Sequence, residues 1–453
     1  MTQFQTVKST EKFIKDNNIQ RFKIGVVDFN GILRGKYVSK SKFLAGLKSG
    51  LSFCDVIIGC DVNDDLVENM DFTGWDTGYP DAPLKIIYQT GKVLPYEPST
   101  MFFLCEFYEE AEAICPRSLL RKVIQKANDM GYDPYSAFEY EFTVFNETIE
   151  TIREKSYQNL SPLSPDNFGY SFIRSSMFSE FYHEVMDVCD AMGAPIEGFH
   201  TEIGSGVLEA AITYSDALSS ADNAIIFKNM LKVVAHQRDL VPTFMAKWSS
   251  EHQGQSGHIH VSLRDKTSVN VFYDQKAEYT MSKTMRHFVA GQMKYMPELL
   301  VLVASTVNDY VRLMPGFWAP TVANWSVDNR TSALRVIAGS EKSQRVEYRV
   351  GSASSNPYLA LSAALLSGLM GIEESLELCE PVTGNAYEIT PKPEHILPGN
   401  LTEAANRLRN STVAKSVLGE LFVKDYATTR EWEEKVYRQQ ITDWQLQRYF
   451  EII

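Results

Sequence analysis

Several common structural signals are missing from this chain. It contains six cysteines in 453 residues and no Cys-x-x-Cys pair. Cysteines without a pairing pattern are typical of reduced thiols, so neither a disulfide framework nor a thiolate zinc site is expected. Residues 1–18 are polar and mixed in charge, unlike the apolar core of a signal peptide, and we therefore expect a cytoplasmic protein.

Basic charge and long apolar segments are also scarce. The 44 lysines and arginines are outnumbered by 57 aspartates and glutamates, which gives a formal net charge of −13. A nucleic-acid partner requires a basic surface and is not expected. The most apolar run, residues 358–372, is shorter than the ~20 residues of a membrane span. Because Asn356-Pro357 precedes it, we predict a buried helix there and no membrane partner.

The usual nucleotide-binding loops are absent as well. The chain has no Gly-x-x-x-x-Gly-Lys-Ser/Thr sequence, and no Gly-x-Gly-x-x-Gly sequence joins a predicted strand to a helix. Any ATP must therefore bind through another architecture.

Composition and patterning divide the chain into two domains. An apolar content of 44% over this length supports more than one core. Residues 26–29 and 32–34 resemble two strands joined by a two-residue Asn30-Gly31 turn. Pro116 then opens a helix that ends before Gly131. We predict a β-rich domain over residues 1–110 and a domain of alternating helices and strands over residues 111–453.

Three predicted strands carry polar side chains at alternate positions: residues 138–142 (FEYEF), 258–262 (HIHVS) and 345–349 (RVEYR). Alternate residues of a strand share a face. An antiparallel sheet with one solvated face gives the same alternation, so one such strand decides little. Together, carboxylates, histidine and arginines on one sheet surface favour metal-assisted phosphoryl transfer.

A candidate metal site follows from the acidic residues. Glu202 and Glu209 flank a flexible Ile-Gly-Ser-Gly turn that can bring two carboxylates together. The full candidate set comprises five carboxylates and one imidazole: Glu139, Glu141, Glu202, Glu209, Glu347 and His258. Oxygen-rich ligation of this size suits two Mg²⁺ or Mn²⁺ ions better than zinc.

Candidate anion-binding residues are five arginines: Arg312, Arg330, Arg335, Arg345 and Arg349. Guanidinium groups bind carboxylates and phosphates bidentately, so this cluster indicates an anionic substrate or a transferring phosphoryl group. We expect one or two of the five to pair only with neighbouring acids.

Four segments in order resemble signatures of the glutamine synthetase family: residues 256–263 (SGHIHVSL), 329–335 (NRTSALR), 345–349 (RVEYR) and 356–359 (NPYL). The resemblance covers nearly the whole chain. It implies an α+β fold with a β-grasp-like N-terminal domain and a catalytic domain whose antiparallel sheet forms a funnel flanked by helices. It also implies a homo-oligomer of stacked, dodecamer-like rings with sites between neighbouring subunits.

The resemblance also implies roles for individual residues. Two or three Mg²⁺ or Mn²⁺ ions would be held by two sets: Glu141, Glu202 and Glu209, and Glu139, His258 and Glu347. Glutamate and its phosphorylated form would contact Glu202, Arg312, Arg330 and Arg349, with Asp61, Arg330 and Arg349 catalytic. ATP would lie near Tyr214, His260, Ser262, Arg335, Lys342 and Arg345. The implied reaction proceeds through γ-glutamyl phosphate, which a nitrogen nucleophile then attacks.

The chain departs from ammonia-using family members at three places. Asp61-Val62-Asn63-Asp64 stands where they have Asp-Gly-Ser-Ser, and Trp318 stands where they have a glutamate that helps to bind and deprotonate ammonium. Loss of that anion weakens both steps, whereas an aromatic face can hold an alkyl chain or an organic ammonium. Gly254-Gln255 replaces Asn-Gly, which alters the expected contact with the glutamate α-amino group.

We therefore predict an ATP-dependent carbon–nitrogen ligase that joins the γ-carboxylate of glutamate to an organic mono- or polyamine. Residues 346–350 (VEYRV) and Glu251-His252 resemble the glutamate–putrescine ligase-like, γ-glutamylamide branch. Asp61, Asp64 and Asp65 can receive the distal charge of a polyamine, or simply form a solvated loop.

Three alternatives remain open from the sequence. An ammonia-using glutamine synthetase is the nearest, and Trp318 speaks against it. A metal-dependent amidohydrolase would explain His258-x-His260 but requires further histidines, and the chain offers only His287 and His395 for that role. A non-catalytic family member is disfavoured by the complete set of candidate metal ligands.

Overall fold

The computed structural model describes residues 4–453, which form two β-sheets with helices packed around them. The strands are β1 Arg21–Val27, β2 Leu33–Val38, β3 Leu51–Cys54, β4 Asp81–Ile86, β5 Lys92–Val93, β6 Thr100–Phe107, β7 Asp133–Phe145, β8 Ile196–Thr201, β9 Val207–Ile212, β10 Ser215–Asp216, β11 Val241–Thr243, β12 Gly257–Arg264, β13 Trp325–Val327, β14 Leu334–Ile337 and β15 Arg345–Tyr348.

The helices are α1 Val7–Asp16, α2 Lys40–Ser49, α3 Pro116–Asp129, α4 Ile149–Glu154, α5 Phe172–Met177, α6 Ser179–Ala191, α7 Ala217–His236, α8 Lys283–Leu299, α9 Asp309–Arg312, α10 Pro357–Glu373, α11 Leu401–Asn410, α12 Thr412–Leu418, α13 Glu420–Arg438 and α14 Asp443–Tyr449. The predicted helix after Asn356 is confirmed as α10. The Asn356 side chain caps its start by accepting a hydrogen bond from the Tyr358 amide. No described helix has the length and apolar character that a membrane span requires.

The N-terminal sheet has the strand order β2-β1-β6-β4-β3, with β5 on the edge of β6, and only the β1–β6 pair is parallel. The predicted β1–β2 hairpin is present, but the prediction of a two-residue turn between its strands is wrong. The Gly31 amide donates to the Asp28 carbonyl, and the Asp28 amide donates to the Ile32 carbonyl. Only Gly31 has a positive φ, of 78°. The loop is thus a three-residue turn that ends in a glycine bulge.

The larger sheet has the order β13-β14-β15-β12-β7-β9-β8, with β10 and β11 also paired to β7. All pairs except β13–β14 are antiparallel. Along β7 the residues alternate between buried and partly exposed up to Phe142. The buried face of β7 packs on α7, the neighbouring β12 packs on α10, and the opposite face of β7 bears Glu139 and Glu141. The predicted antiparallel funnel sheet is confirmed.

Contacts tie the first sheet to the rest of the chain. The Asn356 side-chain amide donates to the Asp28 carbonyl over 2.9 Å, and Arg430 on α13 donates to the Asn30 side chain over 2.6 Å. These bonds place the β1–β2 turn against the start of α10. The division into domains 1–110 and 111–453 stays a prediction.

Candidate active site

The register of the central strands assembles the first group of polar residues. Glu141 on β7 lies opposite Glu209 on β9, and Glu209 lies opposite His200 on β8. The Glu202 carboxylate is close to this row, since its Oε2 lies 3.8 Å from His200 Nδ1. His200 Nε2 lies 3.1 Å from Glu209 Oε1. Three acidic groups and one imidazole therefore meet at the end of β8 and β9.

A second group lies across β14, β15 and β12. Arg335 is opposite Glu347, and Glu347 is opposite His260. On the other side of β12, His258 is opposite Glu139 of β7. The Glu139 carboxylate contacts His260 Nε2 at 3.1 Å. The two groups meet at Glu139 and Glu141, which share one face of β7.

Glu347 is the anionic centre of the second group. It is 1% exposed and accepts hydrogen bonds from Arg349 Nη1 at 2.5 Å and from Arg335 Nη1 at 3.0 Å. His258 Nδ1 lies 3.3 Å from its Oε1. Burial opposes ionisation of this carboxyl, but the charges of His258 and Arg349 outweigh it and lower its pKa to about 2. Glu347 therefore holds a negative charge where three cationic or polar groups converge.

Glu209 has the opposite electrostatic character. Burial, followed by the charges of Glu139 and Glu141, raises its pKa to about 11. Burial and then Glu141 also raise the pKa of Glu202. Carboxylates forced together in this way require either a proton or a cation. Because the donors are oxygen-rich, a hard divalent cation such as Mg²⁺ or Mn²⁺ fits the group.

The two histidines of β12 differ in their availability to a cation. Arg345 Nε can only donate, so His260 Nδ1 accepts its hydrogen bond at 3.2 Å and the His260 proton lies on Nε2, towards Glu139. Glu139, His260 and Glu347 do place ligand atoms within 4.8 Å of one another. Both nitrogens of His260 are nevertheless engaged, whereas His258 Nε2 is buried without a partner. His258 is therefore the better candidate ligand.

His200 was missed by the sequence reasoning. It joins Glu202 and Glu209 in a second candidate cation cluster. The Tyr170 ring stacks on its imidazole with a centroid distance of 4.3 Å. The alternation used for the other strands would have identified it, since His200 stands two positions before Glu202. Tyr170 carries no comparable signal, because it lies in the irregular segment before α5.

A cavity of about 490 Å³ lies over these residues. Its lining includes the six predicted cation ligands, together with Arg312, Arg330, Arg335, Arg349 and Trp318. The remaining lining residues are Tyr170, Ile203, Gln253, Gly254, Ser256 and Phe317. The structure thus brings together most of the site residues that the sequence predicted.

The arginines of the cavity are held in different ways. Arg312 is 2% exposed, and its Nε and Nη2 donate to Ser352 Oγ and to the carbonyls of Val350 and Gly351. Burial lowers the pKa of Arg312. Arg349 pairs with Glu347, while Arg330 is exposed at the cavity rim. A buried arginine braced by neutral groups keeps its charge for an anionic ligand.

Some predicted site residues lie elsewhere in this chain. Asp61 is buried, and its carboxylate accepts hydrogen bonds from Trp432 Nε1 and two backbone amides. It does not line the described cavity. Lys342 is exposed on the turn before β15. His260 and Ser262 lie on β12 and Arg345 lies on β15, and none of the three lines the cavity.

Tyr214 lies near the far end of β12. Its ring centroid is 6.4 Å from that of Tyr135, and the Arg264 guanidinium lies 4.2 Å above Tyr135 and 5.8 Å from Tyr214. Tyr214 itself is 56% exposed. Two tilted tyrosine rings and a guanidinium thus form an aromatic and cationic surface, and the exposed Tyr214 ring offers a face for stacking a planar group.

The pKa of Glu209 predicts how Mg²⁺ affinity depends on pH. Folding raises this pKa from its ordinary value to about 11, so the folded, cation-free protein keeps a proton that the unfolded chain loses above about pH 4.5. Stability without the cation therefore falls as pH rises through this window. Binding of Mg²⁺ releases the proton, and apparent affinity should rise about tenfold per pH unit. Calorimetric Mg²⁺ titrations at about pH 6.5, 7.5 and 8.5 measure this slope.

The matched variant for this experiment is Glu209→Gln. It removes the titrating carboxyl but keeps the side-chain volume, so both the affinity and its pH slope should fall. An unchanged slope in this variant would contradict the assignment of the released proton to Glu209.

This chain is similar to known proteins over most of its length. The protein family described as glutamine synthetase, catalytic domain, matches residues 113–449. The type-1 glutamine synthetase 2 of Dictyostelium discoideum is 43% identical over 437 residues, which cover 95% of this chain and 84% of that protein. The glutamate–isopropylamine ligase of a Pseudomonas species is 36% identical and covers 97% of both chains. The γ-glutamylethanolamide synthetase of Streptomyces coelicolor is 33% identical, covering 98% of this chain and 96% of that protein.

A solved structure supports the fold independently. The ligand-free form of a protein called GmaS superposes with a TM-score of 0.84, covering 97% of this chain and 98% of that chain at 23% identity. At this identity the likeness concerns the fold.

Proposed function

This chain belongs to the glutamine synthetase family, and we propose that it is an ATP-dependent carbon–nitrogen ligase that joins the γ-carboxylate of glutamate to the nitrogen of an organic amine. The single observation that carries this assignment is Trp318, an aromatic residue at the cavity rim near Arg312 and Arg330. An ammonium pocket requires a carboxylate to bind and deprotonate the cation, and an indole cannot do so. The names of two relatives support the same assignment, since one is a glutamate–isopropylamine ligase and the other a γ-glutamylethanolamide synthetase.

We assign different parts of the proposed reaction to different residues of the site. Arg312, Arg330 and Arg349 bind the carboxylates of glutamate and stabilise charge on the phosphoryl group during transfer. Divalent cations held by Glu139, Glu141, Glu202, Glu209, Glu347 and His258 supply further electrostatic stabilisation of that group when bound. Arg335 and Arg345 orient the ATP phosphates. The γ-carboxylate of glutamate attacks the γ-phosphorus of ATP, and ADP leaves. The amine, as its free base, then attacks the γ-carbonyl carbon of γ-glutamyl phosphate, and inorganic phosphate leaves together with the proton that the nitrogen loses.

The cavity favours a small monoamine over a polyamine. Tyr170, Ile203, Phe317 and Trp318 present partly exposed apolar surface to the cavity. A polyamine requires an anion for its distal ammonium, and two of the three proposed receivers, Asp61 and Asp64, are already engaged. Asp61 is hydrogen-bonded to Trp432, and Asp64 pairs with Arg34 at 2.6 Å. A short alkyl group, in contrast, needs only apolar contact.

We further propose a cytoplasmic homo-oligomer of stacked rings in which the Asp61 loop of one subunit borders the cavity of its neighbour. The absence of Asp61 from the cavity of its own described chain is consistent with that arrangement. Mg²⁺ is the preferred cation, because Glu139, Glu141 and Glu209 offer hard oxygen ligands.

The assignment is tested by comparing amines at fixed glutamate and Mg²⁺-ATP. Phosphate release is measured with ammonium, methylamine, ethylamine, isopropylamine, ethanolamine and putrescine. We expect kcat/KM for the best small monoamine to exceed that for ammonium by at least about tenfold, because Trp318 contributes contact only to an alkyl group. Equal or better turnover with ammonium would establish an ordinary glutamine synthetase, and absence of turnover with every amine would refute ligase activity.

A further inference from the structure

Lys247 is a buried cation that no carboxylate pairs with in the described part of the chain. Its side chain is 7% exposed in the segment between β11 and β12. The ammonium donates to the His252 carbonyl and lies 4.4 Å from the centroid of the Phe317 ring. A desolvated lysine normally has an anionic partner. The position of Lys247 against an aromatic ring is therefore unusual and indicates a specific role for this side chain.

The contacts of Lys247 connect two loops that border the cavity. His252 belongs to the segment before β12 that contributes Gln253 and Gly254 to the cavity lining. Phe317 belongs to residues 313–320, which we call the Trp318 loop. The Lys247 ammonium thus bridges one loop by a hydrogen bond and the other by a cation–π contact.

The backbone of Lys247 is hydrogen-bonded to the residue that precedes α9, the helix that leads into the Trp318 loop. The Lys247 amide donates to Asn308 Oδ1 at 2.8 Å, and the Asn308 side-chain amide donates to the Lys247 carbonyl at 2.8 Å. Asn308 immediately precedes α9, which ends at Arg312. Lys247 therefore holds both the beginning of this segment, at Asn308, and its outer part, at Phe317.

The Trp318 loop itself has few internal supports. Gly316 and Trp318 both have positive φ angles, of 87° and 57°. A non-glycine residue in that region is disfavoured and persists only when its surroundings hold it. Trp318 is 49% exposed, so core packing does not supply that support. The contact between Lys247 and the neighbouring Phe317 does.

We propose that Lys247 is a positioning residue, which holds the Trp318 loop over the cavity through Phe317 and thereby sets the affinity for the amine. This proposal rests on the proposed function for its kinetic consequence. Its structural consequence, the fixed position of the loop, does not depend on which nucleophile the protein uses.

The structural consequence is tested by limited chymotrypsin digestion of the full-length protein, with cleavage after Phe317 and Trp318 followed by mass spectrometry. Lys247→Met keeps the aliphatic side chain but removes the charge, and we expect cleavage there to become at least about tenfold faster. Lys247→Arg keeps a cation over the ring and should remain protected. Lys266→Met, on an exposed lysine paired with Asp133, is the matched control and should digest like the unaltered protein. Equal cleavage rates in all four proteins would overturn the proposal.

The kinetic consequence separates positioning from a general structural role. In Lys247→Met we expect the KM for the preferred nucleophile to rise about tenfold while the KM for glutamate stays within about twofold, with recovery in Lys247→Arg. Phe317→Leu should give the same change, and the double variant no further change, because both act through one contact. Multiplying effects in the double variant would contradict the proposal. A preference for ammonium would refute the proposed substrate while leaving the loop-cleavage result to decide the role of Lys247.

Discussion

Replacement of Glu347 by glutamine is expected to lower kcat/KM of the ligation reaction by about a thousandfold. Glu347 is buried and serves three groups at once: Arg335, Arg349 and His258. Glutamine has nearly the same shape but no charge. The two arginines then lose their common anion, and the candidate cation set loses a carboxylate. Steady-state phosphate release at several Mg²⁺ concentrations measures the effect.

The same substitution is also expected to reduce stability, because breaking a buried ion pair from one side costs about 3–5 kcal/mol. Near-ultraviolet circular dichroism and a thermal melt therefore accompany the kinetics, to establish that the variant is folded when assayed. Glu373→Gln provides the control, since this half-exposed α10 residue pairs with Lys126 away from the cavity. Retention of kcat/KM within about tenfold in a folded Glu347→Gln protein would remove this residue from the site.

Replacement of Trp318 by alanine should raise the KM for the preferred alkylamine by about fivefold to thirtyfold and leave the KM for glutamate nearly unchanged. Contact between an indole and an alkylammonium is worth about 1–2 kcal/mol when partly desolvated, and 1.4 kcal/mol corresponds to a factor of ten. The ring stands at the rim of the cavity, whereas Arg312 and Arg349 are buried deeper and hold the anion. Separate titrations of amine and glutamate measure the two KM values.

A companion variant reverses the proposed specificity. Trp318→Glu introduces a carboxylate where an ammonium ion would be bound and deprotonated, so ammonium should gain relative to the alkylamine. Trp444→Ala, on an exposed tryptophan of α14, controls for loss of a surface indole. If both Trp318 variants kept the amine preference of the unaltered protein, another part of the cavity would determine specificity.

Much of the secondary structure was accessible from sequence because its signals are local. The polar strands were predicted from alternation, and α3 and α10 from Pro116 and Asn356-Pro357. The β1–β2 turn was misassigned, since Asn-Gly also occurs where only the glycine needs a positive φ. Strand register decides between these two turns, and register depends on the partner strand.

The candidate site was accessible in a similar way but less completely. Shared strand faces identified Glu139 with Glu141 and His258 with His260. Glu202 and Glu209 were identified by the flexible Ile-Gly-Ser-Gly turn between them. His200 was overlooked although it obeys the same alternation. The sequence could not predict that His258, and not His260, is available as a cation ligand. This difference arises because Arg345 on the neighbouring strand donates a hydrogen bond to His260.

The sequence by itself determined which residues can share a face, which charges the protein carries and which family its motifs resemble. These properties follow from the side-chain period of a strand and from composition. Only the tertiary structure decided that Glu209 is crowded by Glu139 and Glu141, that Asp61 lies away from the cavity of its own chain, and that Lys247 meets Phe317. Those contacts join residues far apart along the chain, and they form only when strand register and loop packing bring their side chains within a few ångströms.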